Sequence, residues 1–301
     1  MTPLKPIGRQ TAKLIQAATE IQMDGPADHD KAFLARQLVQ TTLPHADPGA
    51  VPVWSRTNGN VTLLIQQGYK ANGEGIGHPY GTLPRLIMYW MTTEAVRTKN
   101  ARLVLGDSLA AFMEELGLDS RSKGPRSDRV RLEQQMRRLF AARISFEGTL
   151  QADGAGAEMV EYMPIARRTV FWWSQKDPAQ KALWESYVEL DSEFFAAITA
   201  NPVPVDLRAL RALKRSPLAL DLYSLLTYQA FRASKTGRAV YMTWRQMQAA
   251  LGTSYANHTD LKKSIKLALA KIGAVYPGLE IGDRDGGIEV LPESTPAIAA
   301  R

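Results

Sequence analysis

Apolar residues recur at Leu14, Ile15, Ala18 and Ile21 between Thr11 and Met23, the spacing that lines one face of an α-helix. Asp24-Gly25-Pro26 ends that pattern, and a second amphipathic stretch from Phe33 to Leu43 ends at Pro44. Residues 1–45 therefore read as a short helical N-terminal extension, and the proline-bearing stretch Leu43–Pro52 as a connector. The pattern then changes period. Two β-rich runs flank Asn58-Gly59, a dipeptide whose tolerance of positive φ makes it a strong hairpin signal. The Gly-rich stretch Ala71–Gly81 reads as a loop.

From Leu83 the pattern is helical again, with Leu86, Met88, Tyr89 and Trp90 forming a broad apolar surface and Pro84 in the first turn. Arg102–Gly106 predicts a short strand, and Asp107 or Ser108 can cap the helix that follows and ends at Gly117. A polar loop leads to a basic helix from Arg129, then to a strand at ISFEGTL, a turn at Asp153-Gly154-Ala155-Gly156 and a second strand-rich run. Asp177-Pro178 marks a candidate boundary, and the order then returns. WESYVELDSEFFAAI reads as strand. DLRALRALKR and SPLALDLYSLLTYQAFRA read as helices, AVYMTW as a strand, RQMQAALG as a short helix and LKKSIKLALAKIG as a long basic helix. LEIGDRDGGIEVLP closes the series as a hairpin turning at Asp285-Gly286-Gly287.

One order thus occurs twice: helix, short strand, short helix, polar loop, long basic helix, β-hairpin. It is the order of a winged helix, a helix-turn-helix variant with a β-wing behind its recognition helix. The expected fold class is α+β, with two winged-helix domains in tandem at residues 46–178 and 179–292, the extension at 1–45 and a disordered tail at 293–301.

The two basic helices carry the candidate chemistry. In the first, Leu132, Met136, Leu139 and Phe140 form an apolar stripe, while Arg131, Gln134, Gln135 and Arg138 lie on a different face. Arg and Gln are the side chains that bond guanine and adenine edges bidentately in the major groove. Lys123, Arg126 and Arg129, in and just after the preceding loop, would lie along phosphates; residues 121–143 hold eight Lys/Arg against two acids. In the second helix Leu261, Ile265, Ala268, Leu269 and Ile272 form the apolar stripe, and Thr259, Lys262, Lys263 and Lys266 the polar one. Asn257 and His258 stand at its start, where a recognition helix meets bases, and Arg284 lies in the predicted wing. Lysine suits phosphate as a point charge, so this helix is expected to hold backbone more than to read sequence.

Composition narrows the alternatives. The 301 residues, about two domains' worth, are 45% apolar and 22% charged, which excludes wholesale disorder and a coiled-coil rod. Thirty-seven Lys/Arg against 30 Asp/Glu give +7 and a pI near 9.5, a balance that suits a polyanionic partner. The absence of cysteine excludes disulfides, Cys-ligated zinc and a thiol nucleophile. With no apolar run long enough to span a bilayer and no signal-peptide pattern, a cytoplasmic protein without membrane partners is expected.

Enzyme signatures fail one by one. There is no P-loop, and Gly73, Gly75 and Gly77 miss a dinucleotide fingerprint because His78 takes its last position. His29, His45, His78 and His258 are scattered and form no metal motif. Ser120-x-x-Lys123 and Lys235-Thr236-Gly237 match penicillin-binding signatures only formally, and Asp283-x-Asp285 is a hairpin tip rather than a metal pair. Trp172-Trp173 is expected to pack in the core between the halves rather than stack on bases. No cofactor, metal or catalytic residue is expected.

The string GTLPRLIMYWMTTEAVRTKNARLVLGDSLAAFMEELGL followed by RLEQQMRRLFAARISF resembles the plasmid-encoded RepA family of replication initiators. SPLALDLYSLLTYQAFRASKTGRAVYMTWRQMQAALG and the DLKKSIKLALAKI helix resemble its C-terminal half, so the likeness covers roughly residues 50–292. It implies a theta-mode initiator that binds repeated origin sequences (iterons) in duplex DNA, helps open an adjacent A+T-rich duplex, and brings in the host initiator and replicative helicase. It also implies a homodimer in equilibrium with a DNA-binding monomer. Carried onto this chain, DNA contacts fall on Arg131, Gln134, Gln135, Arg138, Asn257, His258, Lys262, Lys263 and Lys266. Two other readings stay open from the residues: a winged-helix transcriptional repressor, and a scaffold whose basic helices meet an acidic protein.

Overall fold

The computed structural model describes residues 9–121, 124–152, 155–172, 185–251 and 258–298. In chain order the elements are α1 (Arg9–Met23), a 3-10 turn at Asp28–Asp30, β1 (Lys31–Ala35), α2 (Arg36–Gln40), β2 (Val53–Asn58), β3 (Val61–Gln66), β4 (Gly68–Tyr69) and β5 (Gly75–Gly77). They continue with α3 (Thr82–Thr98), β6 (Arg102–Val104), α4 (Leu109–Glu115), α5 (Asp128–Phe140), β7 (Arg143–Ala152), β8 (Ala155–Pro164), β9 (Ala166–Val170), β10 (Tyr187–Leu190), α6 (Ser192–Ala200) and β11 (Pro202–Asp206). The series ends with α7 (Leu207–Leu213), α8 (Pro217–Thr236), β12 (Val240–Thr243), α9 (Trp244–Leu251), α10 (His258–Val275), β13 (Ile281–Arg284) and β14 (Gly287–Val290). The fold is α+β.

The order helix, strand, short helix, long helix, hairpin is present twice, as α3-β6-α4-α5-β7-β8 and as α8-β12-α9-α10-β13-β14. Several local signals act as their chemistry requires. The Asn58-Gly59 turn joins β2 and β3, with Gly59 at φ +63°. Ser108 caps α4 by accepting from Ala111 N–H, and Ser216 caps α8 with Pro217 at its start.

Other stretches differ from expectation. Phe33–Leu43 is not one helix, because β1 takes its first residues and only α2 is helical. WESYVELDSEFFAAI splits: Tyr187–Leu190 is β10, then Asp191 accepts from Glu193 N–H and starts α6. The loop Ala71–Gly81 contains β5, paired with β4. Residues 293–298 are not a disordered tail. Ser294 Oγ bonds the backbone of Glu280, Thr295 N–H reaches Gly278 O, and Tyr276 Oη donates to Thr295 O at 2.8 Å. Burial raises the Tyr276 phenol well above its ordinary pKa. Asp177, Pro178, Trp173 and the tip Asp153-Gly154 lie outside the described residues.

The chain divides into two compact units built from interleaved segments: residues 1–32, 204–244 and 255–301 make one, and residues 33–203 with 245–254 make the other. Residues 179–292, read from the sequence as one domain, contribute to both. In the first unit α10 lies against α8, α7 and α1, and β12-β14-β13 forms an antiparallel sheet. Its core gathers Leu210, Leu222, Tyr223, Leu261, Ile265, Ile272 and Val290. Arg208 ties this unit together: its guanidinium bonds both oxygens of Asp206 and the carbonyl of Asp24 just past α1, with Asp30 at 3.8 Å.

In the second unit α3 is buried along most of its length and packs on α5 and α6. Trp90 meets Phe112 edge-on at 5.0 Å. The first hairpin, β7-β8, joins β3 in a sheet of order β2-β3-β7-β8, with Leu63, Ile65, Ile144, Phe146 and Met163 buried. The short strand β6 pairs instead with β10, in a sheet of order β6-β10-β9. Trp172, just after β9, is 55% exposed and not in the core.

Candidate nucleic-acid interface

α10 sorts its residues as its periodicity requires. Leu261, Ile265, Ala268 and Ile272 are buried and Leu269 half-buried; Thr259, Lys262, Lys263 and Lys266 are exposed together. Each buried aliphatic contributes about 1.5–3 kcal/mol to seating the helix, so its polar face has a fixed direction. Lys262 Nζ stands 5.2 Å from the Trp244 ring centroid, a cation–π contact that restrains a flexible side chain. Lys266 Nζ lies 4.0 Å from Asp283 on β13. Arg284, at the hairpin tip, stacks over Tyr241 at 4.6 Å and bonds Glu289 at 3.1 Å. Two backbone links hold that tip: Tyr241 Oη donates to Asp285 O, and Trp244 N–H to Gly286 O. Asn257 lies outside the described residues, and only the backbone of His258 is described.

α5 departs from the sequence reading. Ser127 caps it, and Arg131 and Gln134 are exposed as expected, Arg131 beside Asp128 at 3.6 Å. Gln135 is buried, and its Oε1 accepts from Tyr80 N–H at 2.9 Å. Its neighbours at i−3 and i+4, Leu132 and Leu139, are both fully buried, so the helix carries Gln135 inward with them. Arg138 is likewise turned in. It bonds Asp47 at 3.0 Å and His78 O at 3.2 Å, and lies over Tyr80 at 5.1 Å. Neither side chain is presented to a base edge. The exposed face is instead Val130, Arg131, Gln134 and Arg137; the i, i+3 step from Gln134 to Arg137 was the signal for the last. Arg126 is exposed, Arg129 is mostly covered beside Glu133, and Lys123 lies outside the described residues.

Burial of the Asp47 carboxyl works against its charge, but the Arg138 guanidinium outweighs this and holds its pKa below the usual 3.8. A depressed carboxylate stabilises the fold above its unfolded value and loses that contribution as pH falls through the folded one. Arg138→Ala is expected to destabilise the protein by about 1–3 kcal/mol at pH 7. The difference from wild type should shrink below about pH 4, as urea midpoints at pH 7 and pH 3 would show. An undiminished difference would remove Asp47 from the account.

Among the described residues no His/Cys/Asp/Glu cluster could hold a metal ion, and no helix is long and apolar enough to cross a membrane. A family model described as plasmid encoded RepA protein matches residues 78–246. The chain belongs to that RepA family. The RepA match runs from His78 through α3, α4, α5 and α8 to the start of α9, and so contains the first basic helix and stops before α10. The chain is also similar to a solved structure of selenomethionine derivatives of domains 2 and 3 of RctB, at 9% identity and a TM-score of 0.42, over 84% of this chain and 94% of that one. No curated protein matches it.

Proposed function

We propose that this RepA-family protein is a plasmid replication initiator. In this reading it binds repeated sequences in duplex origin DNA, promotes opening of the origin, and recruits the host initiator and replicative helicase. It would do so without catalysis or cofactor, in the cytoplasm, as a homodimer in equilibrium with a DNA-binding monomer. Two winged-helix modules, in residues 46–178 and 179–292, would each place a long helix in a major groove, with α5 and α10 as those helices and residues 1–45 as an extension. The observation that carries the reading is α10: a helix seated by an unbroken apolar stripe turns Thr259, Lys262, Lys263 and Lys266 outward as a set, with Arg284 on the hairpin behind it. Family membership supports the replication role.

Successive major grooves on one face are about 10–10.5 bp apart, so two helices call for a site of roughly 20 bp. Selecting bound duplexes from a random library at about 150 mM salt should therefore enrich one motif of that size. About eight phosphate contacts would make the log–log salt slope near −7. Equal, salt-labile binding to all sequences would sink the initiator reading. Within a selected site, Arg131→Ala is expected to relax base preference at one position by about 1–3 kcal/mol. Lys262→Ala should weaken all sequences alike and flatten the slope by about one. Identical behaviour of the two variants would refute this division of labour.

A further inference from the structure

The basic surface of the α10 unit carries its own acids. Lys266 Nζ, 54% exposed, lies 4.0 Å from the Asp283 carboxylate, itself 81% exposed. Arg284 is paired with Glu289 across the β13–β14 hairpin at 3.1 Å. The hairpin tip is fixed by Tyr241 Oη and Trp244 N–H, so both carboxylates are delivered to the cations by bonded backbone rather than by a loose loop. Exposed pairs of this kind contribute about 0–1 kcal/mol to folding, so stability does not account for them.

Their effect on a polyanion is larger. A lysine that neutralises a phosphate releases about 0.9 condensed cation from duplex DNA. A lysine taken from a carboxylate gains little such net release, because the carboxylate left beside the duplex adds a negative charge there and keeps cations in the atmosphere. We propose that Asp283 and Glu289 occupy, in the free protein, the positions that DNA phosphates take in the complex, so that Lys266 and Arg284 bind DNA by exchanging one anion for another. This rests on the reading of α10 and its hairpin as a duplex-DNA surface. The two acids thereby lower affinity for any duplex and leave discrimination to contacts that carry sequence.

The test uses the full chain and two duplexes, a selected site and a scrambled one, titrated from about 100 to 400 mM salt. Asp283→Asn and Glu289→Gln are each expected to raise affinity for both duplexes about fivefold at about 150 mM salt and to steepen the log–log slope by about 0.9. In a Lys266→Ala background, Asp283→Asn should lose that steepening, because the exchanging partner is gone. Glu293→Gln, an exposed acid off the hairpin, measures the effect of net charge alone and should change affinity by less than twofold. If Lys262→Ala weakens binding while Asp283→Asn and Glu289→Gln match wild type or Glu293→Gln, the exchange is wrong and the duplex-binding surface stands. If the unmodified chain binds neither duplex, both fall.

Discussion

Replacing Arg208 with Ala is expected to destabilise the unit formed by α1, α7, α8 and α10 by about 3–5 kcal/mol. Arg208 is 12% exposed and stands between Asp206, 4% exposed, and Asp30, 11% exposed. It bonds Asp206 at 2.8 and 3.1 Å and caps the chain past α1 at Asp24 O, 3.0 Å away. Hydrogen bonds to Asp206 raise the pKa of the guanidinium, a direction that records how strongly its charge is held. The Ala variant leaves two covered carboxylates facing each other with no cation between them. It also strips a donor from the C-terminal end of α1, whose described side chains are at most half-buried. Arg208→Lys keeps the charge and loses the two-pronged geometry, so it should recover part of the loss. Hydrogen exchange reads this by element. Amides of α1 and α7 should exchange far faster in Arg208→Ala, while those of α3 and α5 keep their protection. Unchanged exchange in α1 would show that the arginine is not what fastens it.

The second large effect falls on DNA. A chain with Lys262, Lys263 and Lys266 all replaced by Ala is expected to lose at least about thirtyfold in affinity for its selected duplex at about 150 mM salt. Its log–log salt slope should flatten by about two. The figures treat Lys262 and Lys263 as full phosphate contacts and Lys266 as one already opposed by Asp283. The variant should fold normally, because Leu261, Ile265, Ala268 and Ile272 are untouched and alanine suits a helix. Circular dichroism and thermal midpoint check that. Retained affinity with a folded α10 would move the duplex site elsewhere on the molecule.

Periodicity made α10 legible. Its apolar and polar residues fall on different faces, and the sequence places Lys262, Lys263 and Lys266 together on the one that is exposed. α5 shows where that reasoning stops. Gln135 lies beside the apolar stripe, but Arg138 falls between the exposed Gln134 and Arg131, and what draws the two in lies far along the chain: Tyr80 for one, Asp47 and His78 for the other. No local pattern announces a partner 55 or 91 residues away. Phe194 and Phe195 are a different case, decided by a signal close at hand. Aromatic and β-branched neighbours suggested a continuous strand, but the Asp191 cap and burial of Phe194 and Ile198 make that stretch helical. α1 was visible as a helix, but its packing was not, because α7 and α10, against which it lies, begin roughly 180 and 235 residues after it ends.

The packing of α1 against α7 and α10 sets a timetable during synthesis. At about 5–20 residues per second, α1 leaves the ribosome roughly ten to forty seconds before α7 exists to receive it. Sheet β12-β14-β13 waits longer still, since β14 is its middle strand and is made last. Nascent chains stalled between residues 236 and 290 therefore carry a whole α8 without the complete sheet that packs on it. The lysine face of α10 needs no sheet to be aimed, because α1, α7 and α8, on which the helix is seated, are all made before it.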